Sequence, residues 1–165
     1  MHALAATVLL ALGSADELGL SVGALAREEG SGSHTLLLSP ELRYQRVLLD
    51  WLAVAGTWTL GASGPSSSYG VGVVSQLVSA RAQGRIPLGK ARLELEVGPA
   101  LRLELRTTVV AGRVEELTGQ LGLAVVGGAF VAADLAPFVV RLGVETFGLP
   151  RLDWRFSAAL LWRLP

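Results

Sequence analysis

The sequence contains no cysteine, which excludes disulfide scaffolds, thiolate metal sites and cysteine nucleophiles. It has no excess of either charge, since 14 Lys and Arg residues balance 14 Asp and Glu residues. This balance argues against a nucleic-acid-binding surface. No apolar run reaches the roughly 18–20 residues that a membrane-spanning helix needs, although 51% of the residues are hydrophobic and mean hydropathy is +0.50. The apolar residues are therefore distributed along a chain whose 165 residues fit one domain.

The first fifteen residues have the pattern of a secretory signal peptide. An apolar stretch from Ala3 to Leu12 precedes Gly13-Ser14-Ala15, which are small residues of the kind that signal peptidase reads. The preceding segment lacks Lys and Arg and has only His2 and the terminal amine, which a start codon further upstream would explain. We expect residues 1–15 to be removed and residues 16–165 to form the single barrel domain. The alternative is that the apolar stretch is the first buried strand or helix of the fold.

From Leu18 onward, apolar residues repeatedly alternate with polar or small ones in runs that Gly, Pro and Ser separate. Eight such runs predict eight β-strands, at 17–27, 34–44, 47–60, 69–82, 90–107, 113–126, 131–146 and 152–164. An even number suits a transmembrane β-barrel, because both termini then lie on one side and the last strand can pair with the first. We therefore predict an all-β fold, an eight-stranded antiparallel up-and-down transmembrane barrel.

Run 90–107 gives the strongest evidence for this fold. Between Ala91 and Thr107, leucine and valine occupy most odd positions, and charged residues occupy six of the even positions from Arg92 to Arg106. On a helix these leucines would spread around the whole circumference, and Gly98-Pro99 would interrupt the hydrogen bonds. On a strand the two residue classes separate onto two faces, one for lipid and one for a polar lumen.

Run 152–164 repeats this pattern at the end of the chain. Its apolar face carries Leu152, Trp154, Phe156, Ala158, Leu160, Trp162 and Leu164. The run resembles the closing strand of bacterial outer-membrane barrels, although Arg163, Leu164 and Pro165 follow the last aromatic residue, where the family ends on an aromatic. The whole pattern resembles the small barrels of the OmpA and OmpX type. The resemblance implies location in the outer membrane, contact with the lipid bilayer, folding by the barrel-insertion machinery and a monomeric state.

Three places disturb the alternation. Trp51 and Trp58 would fall on opposite faces of a regular strand, and Val73-Val74 breaks the pattern that starts at Val71. We expect a bulge or a shifted register in each of these two runs. Gly98-Pro99 predicts either a bulge or a turn that divides run 90–107, because proline cannot donate a hydrogen bond to a neighbouring strand.

The aromatic residues fall near predicted strand ends, as in the aromatic girdles of transmembrane barrels. We assign one girdle to Tyr44, Trp51, Phe130, Phe138 and Trp162, and the other to Trp58, Tyr69, Phe147, Trp154 and Phe156.

The charged faces of the three clearest runs predict a network of charges inside the lumen. The predicted members are Arg92, Glu94, Glu96, Arg102, Glu104, Arg106, Arg141, Glu145, Asp153, Arg155 and Arg163. Eight strands enclose only enough space for side chains, so we expect these groups to pair and plug the lumen, as in OmpA-like and OmpX-like barrels. A narrow pore that opens when the pairs rearrange is the alternative.

The outward connections and the histidines offer little for binding or catalysis. The loops at 28–33, 61–68, 108–112 and 147–151 are short, which argues against a large binding surface. After removal of the signal peptide His34 is the one histidine left, and we interpret it as a solvated loop residue. We expect no enzyme, no cofactor and no metal site, since convergent ligands are lacking.

Two other classes of protein remain open. A soluble periplasmic barrel, similar to a lipocalin, would turn the leucines inward to hold a hydrophobic ligand. A charged content of 17% is low for such a protein and favours the membrane barrel. An interaction module anchored beside a larger envelope assembly is compatible with either fold.

Overall fold

The computed structural model describes residues 16–29, 33–63, 70–148 and 153–164, so the predicted signal peptide lies outside the described residues. The strands are β1 (Asp16–Glu29), β2 (Ser33–Leu49), β3 (Leu52–Ser63), β4 (Gly70–Leu88), β5 (Ala91–Val110), β6 (Arg113–Leu135), β7 (Phe138–Gly148) and β8 (Asp153–Arg163). In the described part of the chain, no helix is sufficiently long and apolar to span a bilayer.

The strands form one closed antiparallel ring. Each strand pairs with the next, and β8 closes the ring against β1, with Leu20 opposite Leu160. The prediction of an eight-stranded up-and-down barrel is confirmed. Asp16 and Arg163 lie at one end of the barrel, which we call the terminal end, and the connections there are residues 50–51, 89–90 and 136–137. The opposite end, where residues 30–32, 64–69, 111–112 and 149–152 connect the strands, is called the loop end.

Alternation along most of the strands separates an apolar outer wall from a mainly polar lumen. In β5 the side chains of Leu95 and Leu101 point outward and are about half exposed, whereas Glu94 and Glu96 point inward and are buried. This orientation excludes the lipocalin-like alternative, in which the leucines would face the interior. Outward leucine and valine side chains recur around the ring, so this wall is the surface that a bilayer would cover.

Two of the predicted runs, 47–60 and 131–146, cross a turn of the structure. The run predicted at 131–146 crosses a turn at Ala136-Pro137, where the chain leaves β6 and enters β7. Trp51 lies in the two-residue connection before β3, so it shares no strand with Trp58 and their faces do not conflict. The pairing of β2 with β3 does shift, between Val47 and Leu49, because the strands close into that turn there.

The other two predicted irregularities are also different in the structure. β5 is continuous through Gly98-Pro99, with no bulge and no turn, and only the pairs with Ala80 and Arg81 are missing from its ladder with β4. The gap fits the missing donor of Pro99. A Cβ on Gly98 would overlap the Ala80 carbonyl, so glycine permits the close approach of these strands. β4 keeps its register at Val73-Val74, with Val73 inward and Val74 outward.

The wall is uneven in height at the loop end. β7 first meets β6 at Val125, so residues 113–124 of β6 pair with β5, and no strand of the described residues pairs with their other side. Residues 113–123 are all exposed, on both faces of the ribbon. We call residues 113–124, together with the part of β5 that they pair with, the β5–β6 extension.

Candidate functional site

Most of the described charged residues lie in or at the ends of the lumen, and the predicted set is among them. Of the eleven predicted charges, eight are buried in the lumen: Arg92, Glu94, Glu96, Glu104, Arg141, Glu145, Asp153 and Arg155. The remaining three, Arg102, Arg106 and Arg163, are partly exposed toward the two ends. All eleven side chains belong to β5, β7 or β8, where charged residues occupy inward positions.

Glu96 is at the centre of the lumen and meets three arginines from different strands. Arg43 of β2 and Arg141 of β7 both donate to Oε1 of Glu96, and Arg81 of β4 lies 3.2 Å from Oε2. All four side chains are between 0 and 2% exposed. These contacts cross the lumen from one side of the ring to another. We call Glu96, Arg43, Arg81 and Arg141 the central cluster.

Arg155 extends this network toward the loop end and uses its full hydrogen-bonding capacity. Nη1 donates to Glu41 at 2.8 Å and to Glu145 at 3.0 Å. Nε and Nη2 donate to hydroxyl and carbonyl oxygens of Ser39 and Ser21 at 2.7–3.0 Å. A guanidinium group has five N–H donors, so this buried cation is fully satisfied and joins β8 to β1, β2 and β7.

A second group of charges surrounds Glu17 at the terminal end. Arg92 lies 3.4 Å from Glu17 and 2.6 Å from Glu94, and Arg85 lies within 3.8 Å of the same two carboxylates. Asp134, which is partly exposed, pairs with both Arg92 and Arg163. This group is more open to solvent than the central cluster.

Phe130 and Phe147 are not girdle residues, and their assignment to the girdles is wrong. Phe130 is 1% exposed and lies inside the lumen, where glycines at 128 and 143 leave space for its ring. Phe147 is 5% exposed and packs with Leu25, Leu77 and other apolar residues above Arg155. Both side chains point inward on their strands, so a bilayer cannot contact them.

The other predicted girdle residues are outward wherever they are described. Tyr44, Trp51, Phe138 and Trp162 lie toward the terminal end, and the rings of Phe138 and Trp162 are 6.4 Å apart. Trp154 and Phe156 lie toward the loop end of β8, whereas Trp58 is near the middle of β3. Tyr69 lies outside the described residues. The grouping into two girdles stays a prediction.

Sequence reasoning missed a large part of the lumen. The missed charged and amide side chains are Glu17, Glu41, Arg43, Gln45, Arg81, Gln83 and Arg85, all buried. They share the signal that identified the others, because they alternate with outward residues along β1, β2 and β4. Those strands also present small hydroxyl residues inward, which made the charged positions harder to recognise as one face.

The prediction of a loop at His34 is wrong, and the absence of a metal site stays a prediction. His34 lies within β2, opposite Glu28, so its backbone belongs to a strand where we expected a loop. Among residues 16–29, 33–63, 70–148 and 153–164, no group of three or more histidines and acids has the geometry of a metal site.

No protein-family model matches this chain, and no curated protein matches it either. Solved structures do match. The attachment invasion locus protein Ail of Yersinia pestis has 13% identity and a TM-score of 0.66, over 92% of this chain and 97% of Ail. Neisserial surface protein A has 16% identity and a TM-score of 0.66, over 92% and 99% of the two chains. The N-terminal barrel of Pseudomonas aeruginosa OprF has 14% identity and a TM-score of 0.55, over 88% and 97%.

These likenesses concern the arrangement of the strands, since few residues are shared. They extend over nearly the whole of each barrel, and the apolar outer wall described above agrees with a lipid environment. The predicted location in a bacterial outer membrane agrees with both observations. The chain has the fold of the small eight-stranded outer-membrane β-barrels.

Proposed function

We propose that this protein is a monomeric outer-membrane barrel with a structural, non-catalytic role in the cell envelope, and that paired charges plug its lumen. The supporting observation is Glu96, which three arginines contact from three other strands with almost no solvent access. Conduction needs a continuous path of water along the lumen. We expect a layer of cross-lumen ion pairs at this depth to interrupt such a path.

The plug is expected to be rigid because its members have several partners each. Arg81 contacts Glu96, Glu145 and Thr57 at 2.8–3.2 Å, and Arg155 contacts five oxygen atoms. Removing one contact leaves the others in place. Opening a pore would require several buried ion pairs to separate together, and each separation would leave charges uncompensated in a poorly solvated interior.

Planar-bilayer recordings test the closed lumen. We expect purified, folded protein to give no steady current, because the central cluster blocks the lumen. The double variant R81A/E96A removes one cation and one anion from this cluster and should give discrete conductance steps. A steady current from the unmodified protein would favour the narrow pore and overturn the plug.

Envelope fractionation tests the location and the fold. We expect the protein in the outer-membrane fraction, with different mobility on SDS gels before and after boiling, as a barrel that resists detergent unfolding should have. A soluble periplasmic protein without this shift would contradict the proposal. The same gel serves as the folding control for R81A/E96A, since a variant that has lost its barrel would lose the heat-dependent shift.

Insertion and assembly complete the proposal. Strand β8 carries Trp154, Phe156 and Trp162 on its outer face, which supports recognition by the barrel-insertion machinery. β8 pairs with β1, so no second chain is needed to complete the ring. Light scattering of the detergent-solubilised protein should give the mass of one chain, and a stable dimer would contradict this part of the proposal.

A further inference from the structure

The β5–β6 extension lies beyond the part of the wall that a bilayer covers. β7 has 11 residues, a length with which a tilted strand crosses a membrane, and it pairs with residues 125–135 of β6. Residues 113–124 of β6 are therefore outside the bilayer at the loop end. At about 3.3 Å per residue and a tilt of about 40°, they rise roughly 30 Å above it.

One edge of the extension has free backbone hydrogen-bonding groups. β5 pairs with one side of residues 113–124, and no strand of the described residues pairs with the other side. The connection from Gly148 to Asp153 has only four residues, which is too short to follow this edge and return. An unpaired edge of this length is a template for another strand.

The side chains on this edge favour a partner strand. The outer face carries Leu117, Leu121 and Leu123, which are 66%, 70% and 79% exposed although they lie beyond the bilayer. Residues 117–124 include no charged residue and no proline, which are the residues that keep exposed strand edges from pairing. Exposed leucine side chains beside free backbone groups are expected at an interaction surface.

The edge is complementary to itself about Gly119. Leu117 and Leu121 are on the outer face, and Thr118 and Gln120 are on the other face. In an antiparallel pair of two such edges centred on Gly119, Leu117 of each copy is directly opposite Leu121 of the other, and Thr118 is opposite Gln120. The pair therefore contains two cross-strand leucine contacts, which stabilise it.

This centre also uses the whole free edge and avoids repulsion. Gly119 is the midpoint of residues 114–124, so the edges of the two copies overlap over their full length. Glu116 is opposite Gly122, which keeps the glutamates of the two copies apart. A second copy of the same edge therefore matches both the leucines and the charges of this one.

We propose that the free edge of β6 binds the same edge of a second copy in a facing membrane. The two-fold axis of an antiparallel edge pair reverses the strand direction, so the two barrels point in opposite directions and cannot share a bilayer. This binding goes beyond the structural role proposed above, in which one chain completes each ring.

The small size of the interface reconciles this pairing with a monomer in detergent. Residues 114–124 supply about eleven residues per copy, fewer than the roughly 20–30 of a stable complex, so a single pair is weak in dilute solution. Many copies in two facing membranes bind together, because each pair raises the effective concentration of the next.

Cross-linking between vesicles tests the pair and its register. The chain has no cysteine, so L117C and L121C can be reconstituted in separate vesicle populations by detergent removal, which leaves a share of the loop ends outward. After mixing and mild oxidation, we expect a disulfide-linked dimer on non-reducing gels, because positions 117 and 121 are directly opposite.

Each population alone is the control for this register. Equal positions of two copies are about 13 Å apart along the pair, which is beyond the reach of a disulfide, so the yield of dimer should be about tenfold lower. No dimer in the mixture, or the same yield from one population alone, would overturn the proposal.

Vesicle attachment tests whether the edge is the binding surface. We expect vesicles that carry the unmodified protein to attach to one another, which turbidity measures. L117E/L121E places like charges directly opposite each other and should abolish attachment. T107E/V109E is the matched control and should retain it, because it adds the same charge to the same face of β5, one strand away from the free edge.

The heat-dependent shift on SDS gels shows that each of these variants is folded. Equal attachment by folded L117E/L121E and T107E/V109E would overturn the proposal. Attachment of the unmodified protein to protein-free vesicles of the same lipid would also overturn it, and would identify lipid as the partner of the leucine face.

Discussion

The guanidinium carbon of Arg141 lies 3.1 Å from the centre of the Phe130 ring, deep inside the lumen. The same guanidinium donates to Glu94 at 2.7 Å and to Glu96. An aromatic face attracts a cation, so the ring supports the charge from one side and the carboxylates fix it from another. An apolar residue in a polar lumen therefore positions a member of the central cluster.

This arrangement predicts that a side chain at position 143 destabilises the barrel. A Cβ at Gly143 would overlap the Phe130 ring and the Ala129 carbonyl oxygen, so the ring would have to move away from Arg141. We expect G143A to lower the free energy of unfolding by about 1–3 kcal/mol, the usual cost of overpacking. Urea titration of protein folded into lipid vesicles measures it. G56A is the control, because a Cβ there meets nothing within 4 Å, and equal stability of the two variants would contradict this packing.

The central cluster predicts a large difference between buried and exposed ion pairs. E96Q removes the anion that Arg43, Arg81 and Arg141 share, and we expect it to cost about 3–5 kcal/mol of unfolding free energy, because buried cations are left uncompensated. R46Q affects a pair with Asp16 whose atoms are 3.9 Å apart and partly exposed, so it should cost less than about 1 kcal/mol. If E96Q and R46Q lose similar unfolding free energy in lipid vesicles, Glu96 does not compensate the three buried arginines as described.

The apolar outer wall predicts that a charged substitution lowers the stability of the barrel more near the middle of the bilayer than outside it. Leu142 points outward near the middle of β7, whereas Val114 is exposed near the tip of the β5–β6 extension. We expect L142R to destabilise the folded state by about 2–4 kcal/mol, as arginine does at the middle of a bilayer. V114R should be close to neutral. If both variants lose the same stability, the extension is also embedded in lipid.

The absence of cysteine allows the orientation to be measured on single-cysteine variants. Val114 lies beyond the barrel at the loop end, and Lys90 lies in the turn between β4 and β5 at the terminal end. On intact cells, a membrane-impermeant maleimide should label V114C but not K90C. Labelling of K90C should appear once the outer membrane is permeabilised. The reverse pattern would mean that the loop end faces the periplasm.

The sequence was sufficient for the fold because lipid and lumen impose opposite chemistry on neighbouring residues. In β5 and β8 that opposition is clearest, although Ala100, Ala159 and Leu161 also face inward, and both strands were predicted with the correct faces. The alternation of polar and apolar residues was less informative in β6, because both faces are apolar around Phe130 and the Gly127-Gly128 pair resembles a turn. The prediction therefore ended this strand too early and missed the turn at Ala136-Pro137.

The errors at the aromatic residues have a different cause. Phe147 has the same parity as Arg141 and Glu145, so alternation alone would have directed it inward. Its position near a predicted strand end was given more weight, and the result was a girdle assignment. Glu96 and Arg141 were assigned to the lumen, but their partners in the central cluster could not be predicted, because these depend on which strands face each other across the ring.

Because β6 extends further than β7 at the loop end, the barrel has two unlike sides in the plane of the membrane. In a barrel whose strands all end at the same height, every side would be similar. Here β6 has 23 residues, whereas β7 and β8 have 11 each, so the wall is higher at the β5–β6 extension than at β7 and β8. Neighbouring molecules in the same leaflet meet a high polypeptide ribbon on one side and only the rim on the other. Crowding around this protein is therefore asymmetric, even though its transmembrane wall is a closed cylinder.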